Sequence, residues 1–310
     1  MQGESKTYRL NDGAQLAYRV LNRRVSTALP LVLVNGLSAM MSDWEPLASS
    51  LSRSRPVLVY DHRGIGNSTF SDSTSSDPVS IESLARDLLD LLIHLGWKQL
   101  AICGFSMGGT VAQQLLLLPY AATKPLPLPF RVTHVVLAAT MPRTIISEGA
   151  QVLLQQRRTR TEADRLEAAR RVVDVSFDER WINDPTNAAR IENWIAQFAK
   201  PRSKKAIVAQ AKATMHIDFR DLHSRLPRDT QCLVIHGTLD MMVPYSCSEE
   251  ILEKIPWARR VEVGTAPGQI DHLAFGHQWF GYFEADRWRE VFDVFLSKQN
   301  VGKEGRHARL

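Results

Sequence analysis

Ser106 stands in the segment Gly104-Phe105-Ser106-Met107-Gly108, with a glycine two residues away on either side. A serine hydroxyl so placed can attack a carbonyl carbon, provided that a base takes its proton. The motif alone has little weight: at average glycine and serine usage, about one chain in ten of this length carries it by chance. Its setting carries more. Leu100-Ala101-Ile102-Cys103 before it has the composition of a buried strand, and a helix is predicted after it from about Gly108 to Leu118. A strand, a sharp turn and a helix present the serine at the tip of the turn, an arrangement called the nucleophile elbow. Glycine is needed there because the serine is strained and the helix must approach the strand closely; Gly108 and Gly109 meet the second need.

The elements that must position this serine alternate between strand and helix through the first third of the chain, which predicts a mostly parallel sheet covered on both faces. Leu31-Val32-Leu33-Val34 and Val57-Leu58-Val59-Tyr60 are short apolar runs of the kind buried on both sides. Between Ser80 and Leu95 the apolar residues Ile81, Leu84, Ala85, Leu88, Leu92 and Leu95 recur at helical spacing, with Ser80 as N-cap. Val132 to Ala139 and Cys232 to His236 are two further strands, Arg260 to Val263 a last one. A closing helix places Trp288, Val291, Phe292, Phe295 and Leu296 on one face. From about Pro142 to Leu226 the alternation stops and amphipathic helices take over, one with Ala188, Ile191, Trp194, Ile195 and Phe198. The expected organisation is a core of residues 1–141 and 227–299, a helical cap of 142–226 over the C-terminal edge of the sheet, and a tail of 300–310. The Pro-rich stretch Lys124 to Pro129 is expected to be a surface loop.

Several segments together resemble the α/β-hydrolase superfamily over nearly the whole chain. They are Val34-Asn35-Gly36-Leu37, Asp61-His62-Arg63-Gly64-Ile65-Gly66-Asn67-Ser68, the Ser106 elbow, and His236-Gly237-Thr238-Leu239-Asp240 with Val243-Pro244. The resemblance implies an α/β fold with an eight-stranded, mostly parallel sheet and a triad in the chain order serine, acid, histidine. Asp240 matches the family's acid; Asp229, ahead of the strand, is a poor rival. Two histidines lie between the last strand and the closing helix. The family usually puts glycine before the catalytic one, so Gly276-His277 fits and His272 is the alternative base. The loop from Val263 to His277 is nonetheless longer than usual. Phe275 to Phe283 also resembles fungal members. His62, His94, His134 and His236 are expected to be structural, and His307 falls in the tail. The oxyanion donors implied are the backbone N–H groups of Leu37 and Met107. Asn35 replaces the common histidine of this loop, which leaves the backbone donors intact. Asp61 to Ser68 is expected to be a structural turn beside the site. The implied chemistry is acyl transfer from an ester or thioester without metal or organic cofactor. A serine nucleophile argues against the epoxide-hydrolase and dehalogenase members, which use aspartate.

Composition narrows the partners. With 44% hydrophobic and 23% charged residues the chain has the make-up of a soluble globular protein. Apolar runs such as Leu115 to Leu118 fall far short of the roughly 18 residues that suggest a membrane span. Met1 to Leu10 lacks the apolar core of a secretory signal, which predicts a protein that stays inside the cell. Cys103, Cys232 and Cys247 are too few and too scattered for a disulfide framework or a zinc site. The net charge is +5, with Arg157, Arg158, Arg160, Arg165, Arg170 and Arg171 gathered in one stretch. That stretch is read as a solvated helix face, with a landing surface for an anionic substrate such as an acyl-CoA as the alternative. No nucleic-acid motif accompanies it.

The chain ends Ala308-Arg309-Leu310, the small-basic-leucine form of the peroxisomal address typified by Ser-Lys-Leu. Read as such, it predicts an import receptor as partner and the peroxisome, otherwise the cytoplasm, as location. On that reading the chain is similar to fungal esterase or lipase-type hydrolases of secondary-metabolite and toxin pathways in that organelle. Two other functions remain open on these residues: a ligand-binding receptor that keeps the triad, and a carbon–carbon bond hydrolase or acyltransferase.

Overall fold

Strand order in the sheet is what decides where a site can lie. The structure, a computed structural model, describes residues 4–23, 27–71, 79–121, 123–149, 151 and 161–297. Its strands are β1 (Lys6–Arg9), β2 (Gln15–Leu21), β3 (Leu31–Val34), β4 (Val57–Tyr60), β5 (Gln99–Phe105), β6 (Arg131–Ala138), β7 (Gln231–Ile235) and β8 (Ala258–Arg260). They form one eight-stranded sheet in the order β1-β2-β4-β3-β5-β6-β7-β8, in which β2 alone runs antiparallel to its neighbours. The chain leaves β3 toward β4 on one side and leaves β5 toward β6 on the other. The crevice at such a reversal, beyond the C-terminal ends of the strands, is where open α/β sheets bind ligands.

The parallel strands are continuous apolar runs because both faces are covered. Side chains alternate between the faces. Val32, Val34, Leu58, Tyr60 and Ile102 face one core with Leu84, Leu88 and Leu92 of α2 (Ile81–Leu95) and Val111 and Leu115 of α3 (Met107–Leu117). Leu31, Leu33, Val57, Val59 and Cys103 face the other. There they meet α1 (Leu47–Leu51) and the closing helix, where Trp288, Val291, Phe292, Phe295 and Leu296 are all buried. Truncating a residue such as Leu33 to alanine would cost about 2–5 kcal/mol. Ser80 caps α2 as expected, accepting from the Ser83 N–H at 3.0 Å. The two edge strands carry Lys6, Arg9, Arg259 and Arg260, charges that discourage edge-to-edge pairing.

Two readings shift. The last strand is Ala258–Arg260 rather than 260–263: the Val261 N–H still bonds Val234 O at 3.0 Å, but Val263 makes only an isolated bridge to Ile270. The β1–β2 ribbon was not legible strand by strand, because β1 is mostly exposed and lacks an apolar pattern.

Between β6 and β7 the described residues include four α-helices, α4 (Glu162–Ser176), α5 (Glu179–Asn183), α6 (Ala188–Phe198) and α7 (Lys204–Ala213), joined by turns and irregular segments. The ends of this segment pair with each other: Phe219 N bonds Pro142 O and Thr144 N bonds Ile217 O, both at 2.8 Å. Arg171 and Arg170 form exposed ion pairs with Glu167 and Glu192, as a solvated helix face would. Arg157, Arg158 and Arg160 lie outside the described residues, as do His307 and Ala308-Arg309-Leu310. No described helix is long and apolar enough to cross a membrane.

Candidate active site

Ser106 follows β5 and precedes α3 with φ 55° and ψ −122°, a strained conformation for a residue with a side chain. The turn is held from both sides. Ser106 N donates to Ala138 O at 3.0 Å, and Ser106 O accepts from Thr140 Oγ1 at 2.7 Å. Close approach explains the glycines: a Cβ on Gly104 would stand 2.5 Å from Gly108 O, and one on Gly108 would stand 2.1 Å from Val34 O. The serine is thereby pinned at the crevice between β3 and β5.

Asp240 lies in the turn after β7 with its side chain fully buried. Its Oδ1 accepts the backbone N–H groups of Met242 and Val243, both at 2.8 Å. His277 Nδ1 stands 2.9 Å from Oδ2, so a proton on Nδ1 donates to the carboxylate and Nε2 is left as a base. Burial opposes the charge on Asp240, but the pull of His277 and hydrogen bonds from His236 and His277 hold the carboxyl well below its usual range. The alternative base, His272, is exposed and packs against the Phe283 ring at 5.1 Å between centroids. The structure therefore brings His277 to Asp240 and leaves His272 away. The Phe105 ring, next to the serine, lies 5.0 Å from the His277 ring. Ser106 Oγ itself has no hydrogen-bond partner among the described residues. In unliganded sites this contact is often long and tightens with substrate.

The segment after β3 carries Leu37. Gly36 lets it pass the nucleophile, since a Cβ there would sit 3.2 Å from Ser106 Cβ. Asn35 ties this segment to β4: its Nδ2 donates to Tyr60 O at 2.9 Å, and its O accepts from His62 Nε2 at 3.0 Å. The backbone N–H groups of Leu37 and Met107 have no acceptor among the described residues, which leaves both for a developing oxyanion. Asp61 to Ser68 is a hydrogen-bonded turn in which Asp61 Oδ1 accepts from Met41 N at 2.6 Å and Oδ2 from Asn67 N at 3.0 Å.

The helices between β6 and β7 grip the loops that carry these groups. Gln278 N donates to Ser176 O at 3.0 Å beside His277, and Tyr282 OH donates to Asp178 Oδ2 at 2.9 Å. Trp194 meets Phe280 edge to face, and Phe280 stacks on Trp44. A groove of about 1390 Å³ runs beside this aromatic wall, lined by Tyr18, Met41, Trp194 and Phe280 among others and by none of Ser106, Asp240 and His277. Sequence reasoning missed three residues here. His236, expected to be structural, stands 3.2 Å from Asp240 Oδ2. Arg202 and Gln210 reach Ser38 across more than 160 residues of chain, a separation over which no local pattern carries a signal.

Residues 30–267 match the model of the alpha/beta hydrolase fold family. A putative carbamate hydrolase, RutD, of Stutzerimonas stutzeri is 27% identical over 252 residues, 78% of this chain and 85% of that protein. The proline iminopeptidase PfmaB of Pestalotiopsis fici is 30% identical over 173 residues, covering 54% of this chain and 55% of its own. Among solved structures, an enol-lactonase from Burkholderia xenovorans superposes with a TM-score of 0.71 at 24% identity, covering 94% of this chain and 100% of its own. The sheet order, the strained serine turn and a match spanning most of the chain agree: this protein belongs to the α/β-hydrolase fold family.

Proposed function

We propose that the chain is a serine hydrolase that cleaves an ester or thioester through an acyl-enzyme. The hydrogen bond between His277 and Asp240, in a chain whose strained Ser106 turn opens at the same edge of the sheet, carries this reading. Ser106 Oγ attacks the substrate carbonyl while His277 Nε2 takes its proton. The resulting oxyanion is held by the Leu37 and Met107 N–H groups. Collapse expels the alcohol or thiol, which leaves with the proton from His277. Water, deprotonated by the same nitrogen, then releases the acid and restores the serine. Asp240 stays ionised throughout and orients the ring.

One observation favours an apolar acyl group. The helices between β6 and β7, which we take to be a cap of residues 142–226, bring Phe177, Trp181 and Trp194 toward the loop of His277, and Phe105 and Phe280 pack about it. A relative named as a putative carbamate hydrolase supports attack on a carbonyl. A panel of acyl esters and acyl-CoA thioesters tests the reading together with fluorophosphonate labelling. Both hydrolysis and labelling should vanish in Ser106→Ala; a variant that hydrolyses the panel as fast as the parent overturns it. From Ala308-Arg309-Leu310 we further propose import into the peroxisome, where acyl-CoA substrates of a secondary-metabolite pathway would be at hand. A fluorescent protein bearing this tail should become punctate, and a diffuse signal would sink the idea.

A further inference from the structure

Of the two oxyanion donors assigned above, Met107 N–H is placed by the elbow itself, between a strand end and the first turn of α3. Leu37 N–H has no such frame. It lies in a loop without regular structure, and the groups around it divide by origin. The sheet core holds the loop at both ends, through Asn35 on Tyr60 and Met41 N on Asp61. The middle is held from the other side of the crevice. Ser38 N donates to Gln210 Oε1 at 2.8 Å, and Ser38 O accepts from Arg202 Nη1 at 2.7 Å.

We propose that Gln210 and Arg202 are positioning residues for the oxyanion hole, so that seating the helical segment between β6 and β7 and aiming the Leu37 N–H are one event. The inference rests on the reading of Leu37 as an oxyanion donor. Ser38 N belongs to the peptide plane next to the one that carries Leu37 N–H, so its acceptor restricts how that neighbouring plane can turn. Ser38 also has φ 64°, a left-handed backbone that a residue with a side chain holds only when its surroundings impose it.

The holder is itself rigid. Arg202 is almost buried and completes a closed network: Nη1 also donates to Asp43 Oδ2 at 2.7 Å, and Nη2 donates to Gln197 O at 3.0 Å. Asp43 in turn accepts Met40 N and Gln197 Nε2, both at 2.9 Å. Each charge is paired and hydrogen-bonded, as burial requires. Gln210 is 1% exposed, and its Nε2 has no partner among the described residues. Among the described residues the side chain's one hydrogen bond is the one to Ser38, so replacing it with an apolar side chain of like shape removes that acceptor and orphans no other group.

Gln210→Met makes the test. It removes the acceptor, keeps the side-chain length, and should melt within a few degrees of the parent. Amide hydrogen exchange at Ser38 should quicken about tenfold, the loss of roughly one hydrogen bond. Gln210→Glu keeps an acceptor and should leave Ser38 protected. On an ester substrate Gln210→Met should lower kcat about 10- to 100-fold with KM nearly unchanged, as misalignment of one donor does. Unchanged exchange at Ser38 in Gln210→Met overturns the proposal, and so does a rise in KM with kcat intact, which would make Gln210 a substrate-binding residue. Faster exchange in a chain whose parent hydrolyses no ester supports the clamp and removes the serine-hydrolase reading, so the two failures are distinct.

Discussion

His236 Nε2 lies 3.2 Å from Oδ2 of Asp240, the same carboxylate oxygen that His277 Nδ1 approaches at 2.9 Å from the other element. Val243 O, a group that can only accept, lies 2.9 Å from the same His236 nitrogen, so that nitrogen carries the proton and donates. With Met242 N and Val243 N on Oδ1 and His277 Nδ1 on Oδ2, Asp240 has three donors and a share of the His236 N–H that also points at Val243 O, enough to keep a fully buried carboxylate ionised.

His236→Phe keeps a flat ring in place and removes one of those donors. Stability should fall by about 2 kcal/mol, and kcat should fall about tenfold as the carboxylate loses a charge-assisted bond. Urea unfolding and steady-state kinetics on the same preparation check this; a change below twofold in kcat would show Asp240 to be adequately held without His236.

Asp240→Asn keeps the size of the acid and removes its charge, which unsettles the tautomer of His277. The expected loss in kcat is on the order of 10³- to 10⁴-fold. His272→Gln should leave kcat within about twofold, because His272 is exposed and far from that hydrogen bond. A large loss in His272→Gln together with a mild one in His277→Gln would reverse the assignment of the base.

Gly108→Ala places a methyl group 2.1 Å from Val34 O and 2.5 Å from Asn35 O, backbone atoms that move only if β3 and α3 separate. It should destabilise the fold by about 3 kcal/mol and misplace the Ser106 turn. Thermal unfolding reads the first effect, and a slower fluorophosphonate labelling rate reads the second.

Burial pushes the His62 ring down to about 4, against its hydrogen bond to Asn35, whereas its usual value is 6.5. The folded chain thus holds His62 neutral where the unfolded chain begins to protonate it. Stability from this residue is complete above the unfolded value and is lost as pH falls toward the folded one. The loss by about pH 5 should be about 2 kcal/mol. His223, also pushed down to about 4 by burial, adds loss of the same sign. Urea unfolding at neutral and mildly acidic pH should show the slope, and His62→Gln should flatten only part of it. A slope unchanged in His62→Gln would assign the acid lability elsewhere.

What local residues determine, the sequence by itself determined. A run such as Leu31-Val32-Leu33-Val34 has no polar side to expose, so it becomes a strand covered on both faces. Gly104 and Gly108 around Ser106 mark a crossing of strand and helix too tight for a Cβ. The turn, its strand and its helix were all legible because each depends on residues within about a dozen positions. The number of strands came only through resemblance and their order only from the structure, since pairing depends on parts of the chain far apart. Tertiary structure alone decided which histidine meets Asp240. His272 and His277 lie five residues apart in one irregular loop, and the Thr238 and Leu239 N–H groups bonded to Leu273 O and Phe275 O, the Ser176 carbonyl bonded to Gln278 N and the aromatic packing about Phe280 turn one inward and leave the other in solvent. The grip of Gln210 and Arg202 on Ser38 is likewise absent from any local pattern. It joins a helix and a loop that become neighbours only when the sheet is complete.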